Sequence, residues 1–204
     1  TSQEGCDICT EGGACPLGAI EPVPCAGGMI APRAGMEECD ACAAGRYQIN
    51  KGQTACDSCS AGGYCPLGAV APTLGSSGSF SGVVGNVATT DCEACPTGEF
   101  CVVGAVASQL CSTGTFNDVL GQSSCVSCAT GSYQDISGST SCVTCPSGSF
   151  CEAGSSTPKP CDAGTFTDTT GNGNASDCNA CPPGHACGAG STAADACSPG
   201  SGPP

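Results

Sequence analysis

Cysteine is the residue type in this sequence whose number and spacing could support chemistry. The chain has 23 cysteines in 204 residues, and many of them stand in Cys-x-x-Cys steps. Two stretches, 39–59 and 125–145, approach the spacing of a zinc ribbon, which places two such steps on either side of a loop. Because cysteines continue at the same period on both sides of each stretch, the pattern favours disulfides. We predict no metal and no cofactor.

The cysteines repeat at a long period of 86 residues, which is the separation of Cys6 from Cys92. A shift by this length places nine cysteines on nine others, and the one mismatch sets Gly75 opposite Cys161. Internal repetition of this kind indicates an array of similar structural units. The predicted segments are a first super-repeat over 1–86, a second over 87–172 and a partial third over 173–204.

A shorter period of about 17 residues lies inside the super-repeat, with the pattern Cys-x-x-Gly-x-aromatic. The sequence contains twelve such units, and the one that begins at Gly75 has lost its cysteine. Glycine occupies the fourth position in all of them: Gly12, Gly28, Gly45, Gly62, Gly78, Gly98, Gly114, Gly131, Gly148, Gly164, Gly184 and Gly200. Every aromatic residue occupies the sixth: Tyr47, Tyr64, Phe80, Phe100, Phe116, Tyr133, Phe150 and Phe166.

These units predict short β-hairpins with almost no helix. A glycine soon after a half-cystine suits a tight turn with positive φ or a close backbone approach. The aromatic side chain supplies apolar surface to lie against its own disulfide or that of the next unit. Stretches rich in Ser, Thr and Gly, such as 131–141, are typical of short strands and turns, and no stretch keeps a 3.6-residue apolar period. If each unit touches only its sequence neighbours, the array is an elongated rod.

The composition explains why the chain needs disulfides. Leu, Ile, Val and Phe together make up about 13% of the residues, below the roughly 20% at which burial offsets the entropy of ordering. Disulfides at this density persist in an oxidising compartment, so we expect an extracellular or cell-surface location. The net charge of −14 argues against binding nucleic acid or an anionic membrane. No apolar run reaches the length of a membrane span, and a start at Thr1 suggests a processed product or a segment of a longer precursor.

Sequence order suggests a disulfide scheme in which the first cysteine of each unit bonds to the next cysteine along the chain. An interlaced scheme, in which the first cysteine bonds to the third one along, stays open. The sequential pairs are Cys9–Cys15, Cys25–Cys39, Cys42–Cys56, Cys59–Cys65, Cys95–Cys101, Cys111–Cys125, Cys128–Cys142, Cys145–Cys151, Cys161–Cys178 and Cys181–Cys187.

Three cysteines remain outside this scheme. The expected partner of Cys92 stands at position 75, which is glycine, so Cys92 is predicted to be free or bonded between chains. Cys6 has no preceding partner and Cys197 no following one, as in a window taken from a longer array.

Few other residues suggest a site. His185 is the one histidine and has no counterpart in sibling units, so we expect it on the surface without a catalytic role. No catalytic triad or phosphate-binding loop can be assembled, and we predict that the chain is not an enzyme. Asn174 begins an Asn-x-Ser sequon and is a candidate for N-glycosylation.

The stretches CATGSYQDISGSTSC (128–142), CPSGSFC (145–151) and CDAGTF (161–166) resemble a known family. They are similar to the ephrin-receptor-like cysteine-rich repeats of the growth-factor-receptor cysteine-rich superfamily, and more distantly to tumour-necrosis-factor-receptor and EGF-like modules. The resemblance implies extracellular β-hairpin modules joined into a rod. Modules of this kind occur in receptors, adhesins, coat proteins and the mastigoneme filaments of algal flagella.

Two functions follow as expectations. The first is a structural protomer of an extracellular filament or surface coat, a glycoprotein that contacts itself head to tail, other matrix or surface proteins, and attached glycans. The alternative is a receptor or adhesin ectodomain that binds a protein or glycan. For the alternative, the sequence offers the irregular stretch Met29–Glu38, which contains both methionines and Arg33.

Overall fold

The computed structural model describes residues 9–198. Over these residues the chain forms eleven antiparallel hairpins of two-residue strands, in which each odd-numbered strand pairs with the strand that follows it. The predicted class, short disulfide-linked β-hairpins with almost no helix, is confirmed.

Within the described range the helical segments are two 3₁₀ helices, Thr89–Asp91 and Ala175–Asp177. The strands are β1 Gly13–Ala14, β2 Val23–Pro24, β3 Met29–Ile30, β4 Asp40–Ala41, β5 Arg46–Tyr47, β6 Asp57–Ser58, β7 Gly63–Tyr64, β8 Thr73–Leu74, β9 Ser79–Phe80, β10 Glu93–Ala94, β11 Glu99–Phe100, β12 Gln109–Leu110, β13 Thr115–Phe116, β14 Val126–Ser127, β15 Ser132–Tyr133, β16 Val143–Thr144, β17 Ser149–Phe150, β18 Lys159–Pro160, β19 Thr165–Phe166, β20 Asn179–Ala180, β21 His185–Ala186 and β22 Asp195–Ala196.

The fourth-position glycine of each unit turns the chain into the first strand of its hairpin. Gly12 has a φ of 81°, a left-handed conformation that residues with a Cβ rarely adopt. Its carbonyl accepts a hydrogen bond from the amide of Cys25, the first residue of the next unit, at 3.0 Å. All the other fourth-position glycines up to Gly184 also have positive φ, which confirms the predicted turn. Gly200 lies outside the described residues.

A second glycine with positive φ, which was not predicted from the sequence, follows the first by six or seven residues. Gly52, with a φ of 69°, is the example in the unit that begins at Cys42. Its amide donates a hydrogen bond to the carbonyl of Cys25 in the preceding unit, at 2.8 Å. The complete second set is Gly18, Gly35, Gly52, Gly68, Gly85, Gly104, Gly121, Gly138, Gly154, Gly171 and Gly190.

The two glycine sets meet across the stack of hairpins. A Cβ at Gly12 would lie 2.2 Å from the carbonyl oxygen of Gly52, so no larger residue fits at Gly12. Gly12 belongs to the unit beginning at Cys9, and Gly52 to the unit two further along the chain. The expectation that units touch only their sequence neighbours is therefore wrong, because the loop around Gly52 folds back across the intervening unit.

The core consists of cysteine and alanine. Among the described residues the buried apolar side chains are all Cys or Ala, whereas the eight aromatic side chains are half-buried. Tyr47 packs against a buried cluster of Cys59, Cys65 and Ala69, which is the disulfide of the following unit. This contact confirms, for Tyr47, the predicted role of the aromatic position.

The chain divides into two compact units. The first comprises residues 1–94 with 101–108, and the second comprises 95–100 with 109–204. The super-repeat boundaries at 86/87 and 172/173 stay a prediction from sequence, as does the elongated form. No helix within residues 9–198 has the length and apolar character needed to cross a bilayer.

Candidate interaction surface

The disulfides follow sequence order in the structure. Long units close a loop with a sequence separation of 14 or 17, and short units one with a separation of 6; the Cα–Cα distances are 5.7–5.9 Å. Cys95 and Cys101 are both disulfide-bonded as well. The pairs in sequence order are Cys9–Cys15, Cys25–Cys39, Cys42–Cys56, Cys59–Cys65, Cys111–Cys125, Cys128–Cys142, Cys145–Cys151, Cys161–Cys178 and Cys181–Cys187.

This bonding consumes the cysteines that resemble zinc ribbons. Cys39 bonds to Cys25 and Cys42 to Cys56, so the four thiolates that a zinc site needs are not together as ligands. Among residues 9–198 no group of three or more His, Cys, Asp or Glu side chains is placed to hold a metal ion. His185 is exposed on strand β21, and its Nδ1 lies 3.2 Å from the carbonyl oxygen of Pro183.

In long units that contain an aromatic residue, the position directly after it holds a buried polar side chain. In short units the residue at this place is a half-cystine, such as Cys65 after Tyr64. In long units it is a residue such as Gln48 or Asn117, both buried. The Gln48 side-chain amide donates to the Ala55 carbonyl at 2.8 Å, which fastens the loop from inside. These buried side chains were not predicted from the sequence, although the alternation between cysteine and a polar residue after the aromatic is a visible signal.

In two loops of equal length, a buried asparagine further along the loop makes the stabilising side-chain hydrogen bonds. We call residues 75–92 the open loop and residues 161–178 the closed loop, since only the second is closed by a disulfide. In the open loop, buried Asn86 donates to the Ser81 hydroxyl at 2.9 Å. In the closed loop, buried Asn172 donates to the Thr167 hydroxyl at 3.2 Å. Each loop ends in one of the two 3₁₀ helices.

The gap in the open loop has the geometry of a missing disulfide. Cys92 is a free, half-buried cysteine. A Cβ at Gly75 would lie 3.3 Å from the Cys92 Sγ atom, and the backbone of Gly75 does not have positive φ. Cys197 is free within the described residues and exposed, while Cys6 lies outside them.

The surface of the first compact unit presents aliphatic side chains at tight turns that we call the short-unit tips (residues 17–20, 67–70 and 103–106). At each tip an amide bonds to a carbonyl three residues earlier, as from Ala69 to Pro66 at 3.1 Å. The turn leaves its flanking aliphatic side chains exposed; Leu67 is 73% exposed. The tip aliphatics are Leu17, Ile20, Leu67, Val70, Val103 and Val106.

The corresponding tip at 153–156 in the second compact unit is polar. It carries Ser155 and Ser156 and is flanked by an ion pair between Lys159 and Glu152. The Lys159 Nζ atom also lies 5.9 Å from the centroid of the Phe150 ring, within the range of a cation–π contact. The two compact units therefore offer surfaces of different chemistry at the same place in the repeat.

The stretch Met29–Glu38 is irregular in side chains and regular in backbone. Gly35 has a φ of 78°, and its amide donates to the Cys9 carbonyl at 2.8 Å, as Gly52 does to Cys25. Arg33 is exposed. The backbone of this loop thus follows the common frame of the long units.

The fold and its chemistry define a class of protein: tandem β-hairpin repeats joined by disulfides. The model of a family described as tyrosine-protein kinase ephrin type A/B receptor-like matches residues 28–77, 98–145 and 114–159. These matches span more than half of the chain, so the chain belongs to this family of ephrin-receptor-like cysteine-rich repeats. The comparison with curated proteins found no match. The family is a receptor-type repeat and not a catalytic domain, and with the many disulfides it indicates an extracellular location.

Proposed function

We propose that the chain is a structural protomer of an extracellular filament or surface coat. The observation that carries the proposal is the stacking contact between glycine sets, which recurs through both compact units with the same geometry. In the second unit, a Cβ at Gly114 would lie 2.2 Å from the Gly154 carbonyl oxygen. The amide of Gly114 donates to the Gln134 carbonyl at 2.7 Å. Both contacts use backbone atoms, so any unit with the same glycines can continue the stack.

Backbone stacking of this kind supports assembly without closure. A contact between the end of one array and the start of another is heterologous, and heterologous contacts extend into filaments when the rotation does not close. The partners would be further copies of the chain, with other matrix or surface proteins alongside. A core of disulfides and alanine suits this role, since it does not depend on a large folded domain.

Electron microscopy of the secreted chain tests the proposal. We expect elongated particles that show a repeat along their length and that associate end to end as concentration rises. Globular monomers without periodicity would refute it. Analytical ultracentrifugation over the same concentrations supplies a second readout, in which the frictional ratio should rise with association.

A pair of glycine variants separates stacking from local strain. Gly131 and Gly154 both have positive φ, 84° and 73°, so alanine strains both backbones. A Cβ at Gly131 would lie 2.3 Å from the Gly171 carbonyl oxygen, whereas among the described residues nothing lies within 4 Å of a Cβ at Gly154. Gly131→Ala should break or bend the particles, and Gly154→Ala should leave them closer to the wild type. Equal behaviour of the two variants would mean that stacking does not carry the shape.

The aliphatic short-unit tips favour a second candidate function, a receptor or adhesin ectodomain that binds a protein or glycan. Exposed apolar groups that recur at one place are typical of an interaction surface. Binding of the wild-type chain to arrayed extracellular proteins and glycans, compared with the double variant Leu67→Ser and Val70→Ser, tests this candidate. Retention that is lost in the double variant and kept in Ala153→Ser, at the polar tip, would support it; no retention on any spot would reject it.

A further inference from the structure

We propose that Asn174 carries an N-linked glycan, which makes the closed loop the glycosylated loop of this chain. Asn174 begins the sequence Asn174-Ala175-Ser176, in which the third residue supplies the hydroxyl that the modification requires. The structure adds three observations about this asparagine, which concern its exposure, its hydrogen bonds and its counterpart in the open loop.

The side chain of Asn174 is exposed. It lies at the start of the 3₁₀ helix Ala175–Asp177 and makes no capping hydrogen bond. The helix start is instead held by the Asp177 carboxylate, which accepts from the amides of Gly173 and Asn174 at 2.8 and 3.0 Å. The Nδ2 atom is therefore available for reaction.

Other asparagines differ in this respect. Asn86, Asn117 and Asn172 are buried, and their side-chain nitrogens donate to carbonyl or hydroxyl oxygens of their own loop or of the preceding unit. None of these three is followed two residues later by Ser or Thr. Exposure and the required hydroxyl coincide at Asn174.

The open loop shows what this position needs for folding. Ala88 stands at the place of Asn174, and its amide donates to the Asp91 carboxylate at 3.1 Å, as the Asn174 amide does to Asp177. A methyl side chain thus supports the same 3₁₀ helix. The fold places no demand on the side chain at this position, so a glycan attached there does not disturb the loop.

The reaction joins Asn174 to an oligosaccharide carried on a lipid diphosphate. A bond forms between Nδ2 and the anomeric carbon of the first sugar, while the bond from that carbon to the diphosphate oxygen breaks. The lipid diphosphate leaves with the bonding electron pair, and Nδ2 loses one proton to a base. Oxidation states do not change.

The test uses the full chain secreted from eukaryotic cells and treated with an amidase that releases N-glycans in ¹⁸O-labelled water. We expect Asn174 to convert to labelled aspartate and the intact mass to fall by one oligosaccharide. Asn174→Gln and Ser176→Ala should each remove the glycan. The midpoint of thermal unfolding of Asn174→Gln should match that of the deglycosylated wild type. Unlabelled asparagine at position 174 in the secreted wild type would overturn the proposal.

Ala88→Asn supplies a matched gain of site, because it creates Asn-Thr-Thr with Thr89 and Thr90 at the equivalent place. We expect this variant to gain a second glycan while keeping the first. A glycan at position 88 with none at 174 would show that the cell glycosylates this geometry but not Asn174, which also overturns the proposal. The filament proposal is unaffected by either result, since it is read from particle shape.

Discussion

The open loop and the closed loop have the same length and the same local fold, but only one has a disulfide. The amide of Gly75 donates to the Gly62 carbonyl at 2.9 Å, and the amide of Cys161 donates to the Gly148 carbonyl at the same distance. Each loop then uses one buried asparagine and one 3₁₀ helix. The open loop therefore shows that backbone hydrogen bonds and the buried amide set the loop's shape. The disulfide adds stability to a shape that already exists.

Conversion of the closed loop into an open one should have the largest effect. Cys161→Gly removes the Cys161–Cys178 disulfide and leaves a free cysteine, as in the open loop. Loss of a crosslink over a loop of this size costs roughly 3 kcal/mol in the chain-entropy estimate. Hydrogen exchange of peptides from residues 161–178 under increasing denaturant measures the change in local opening free energy.

Cys161→Ala serves as the control, because it removes the bond without adding the flexibility of glycine. Cys161→Ala should lower the local opening free energy by about 0.5–1 kcal/mol less than Cys161→Gly does, because glycine adds a backbone entropy cost of that size. If exchange in the loop is the same in both variants and the wild type, the disulfide does not contribute to its stability.

Closing the open loop with a disulfide should raise its local opening free energy. The gain should be smaller than the loss expected when the closed loop is opened. Gly75→Cys places a thiol within reach of Cys92, since a Cβ there lies 3.3 Å from the Cys92 Sγ atom. We expect a gain of about 2–3 kcal/mol, because introduced disulfides tend to deliver less than the entropy estimate. Non-reducing peptide mapping should show a peptide that links positions 75 and 92, and the count of free thiols should fall by one.

Gly75→Ser is the matched control for this gain. It adds a side chain of similar size that cannot crosslink, so it should leave the local opening free energy close to that of the wild type. A free Cys92 thiol persisting in Gly75→Cys after oxidative refolding would contradict the inferred geometry of the gap.

Removal of the buried amides should have an intermediate effect that depends on the disulfide. Asn86→Ala and Asn172→Ala each leave carbonyl or hydroxyl groups without their donor, at a cost of about 1–3 kcal/mol. In the open loop this loss should raise hydrogen exchange across residues 81–92. In the closed loop the disulfide limits the opening, so exchange should rise clearly only when Asn172→Ala is combined with Cys161→Ala. Equal responses of the two single variants would show that the disulfide and the amide act independently.

The sequence predicted the hairpin class because its signals are local. The position of Gly12 after Cys9 demands a turn within its own unit, and the predicted positive φ is confirmed there. The spacing of Cys25 and Cys39 suggested the same pair that the structure forms. Such features depend on a few neighbouring residues, so a repeat pattern is enough to reveal them.

Features that depend on distant parts of the chain were not predictable from the sequence pattern. The contact of Gly12 with Gly52 joins units that are not neighbours, and no local pattern shows which glycine meets which. The role of Gln48 was missed because a polar residue after an aromatic resembles an exposed strand residue, whereas here it is buried against its own loop. Burial of an amide follows from how the loop folds over it, which spacing alone does not express.

The 3₁₀ helices should respond least to mutation, and equally in both loops. The Asp91 carboxylate accepts from the amides of Val87 and Ala88 at 2.7 and 3.1 Å, and Asp177 makes the equivalent bonds in the closed loop. Asp91→Ala and Asp177→Ala should each cost about 1 kcal/mol or less, the size of an exposed helix-capping interaction. Hydrogen exchange at the start of each helix measures this loss.

Asp118→Ala is the control, because Asp118 is exposed in a long loop without a 3₁₀ helix. This variant should not change hydrogen exchange at the start of either 3₁₀ helix. Because the aspartate holds only the start of a three-residue helix, its loss should not spread to the buried amide in either loop. A much larger loss from Asp91→Ala than from Asp177→Ala would mean that the open loop relies on its helix to replace the missing disulfide. The shape would then depend on compensation between helix and crosslink, and backbone hydrogen bonds with one buried amide would not be sufficient to set it.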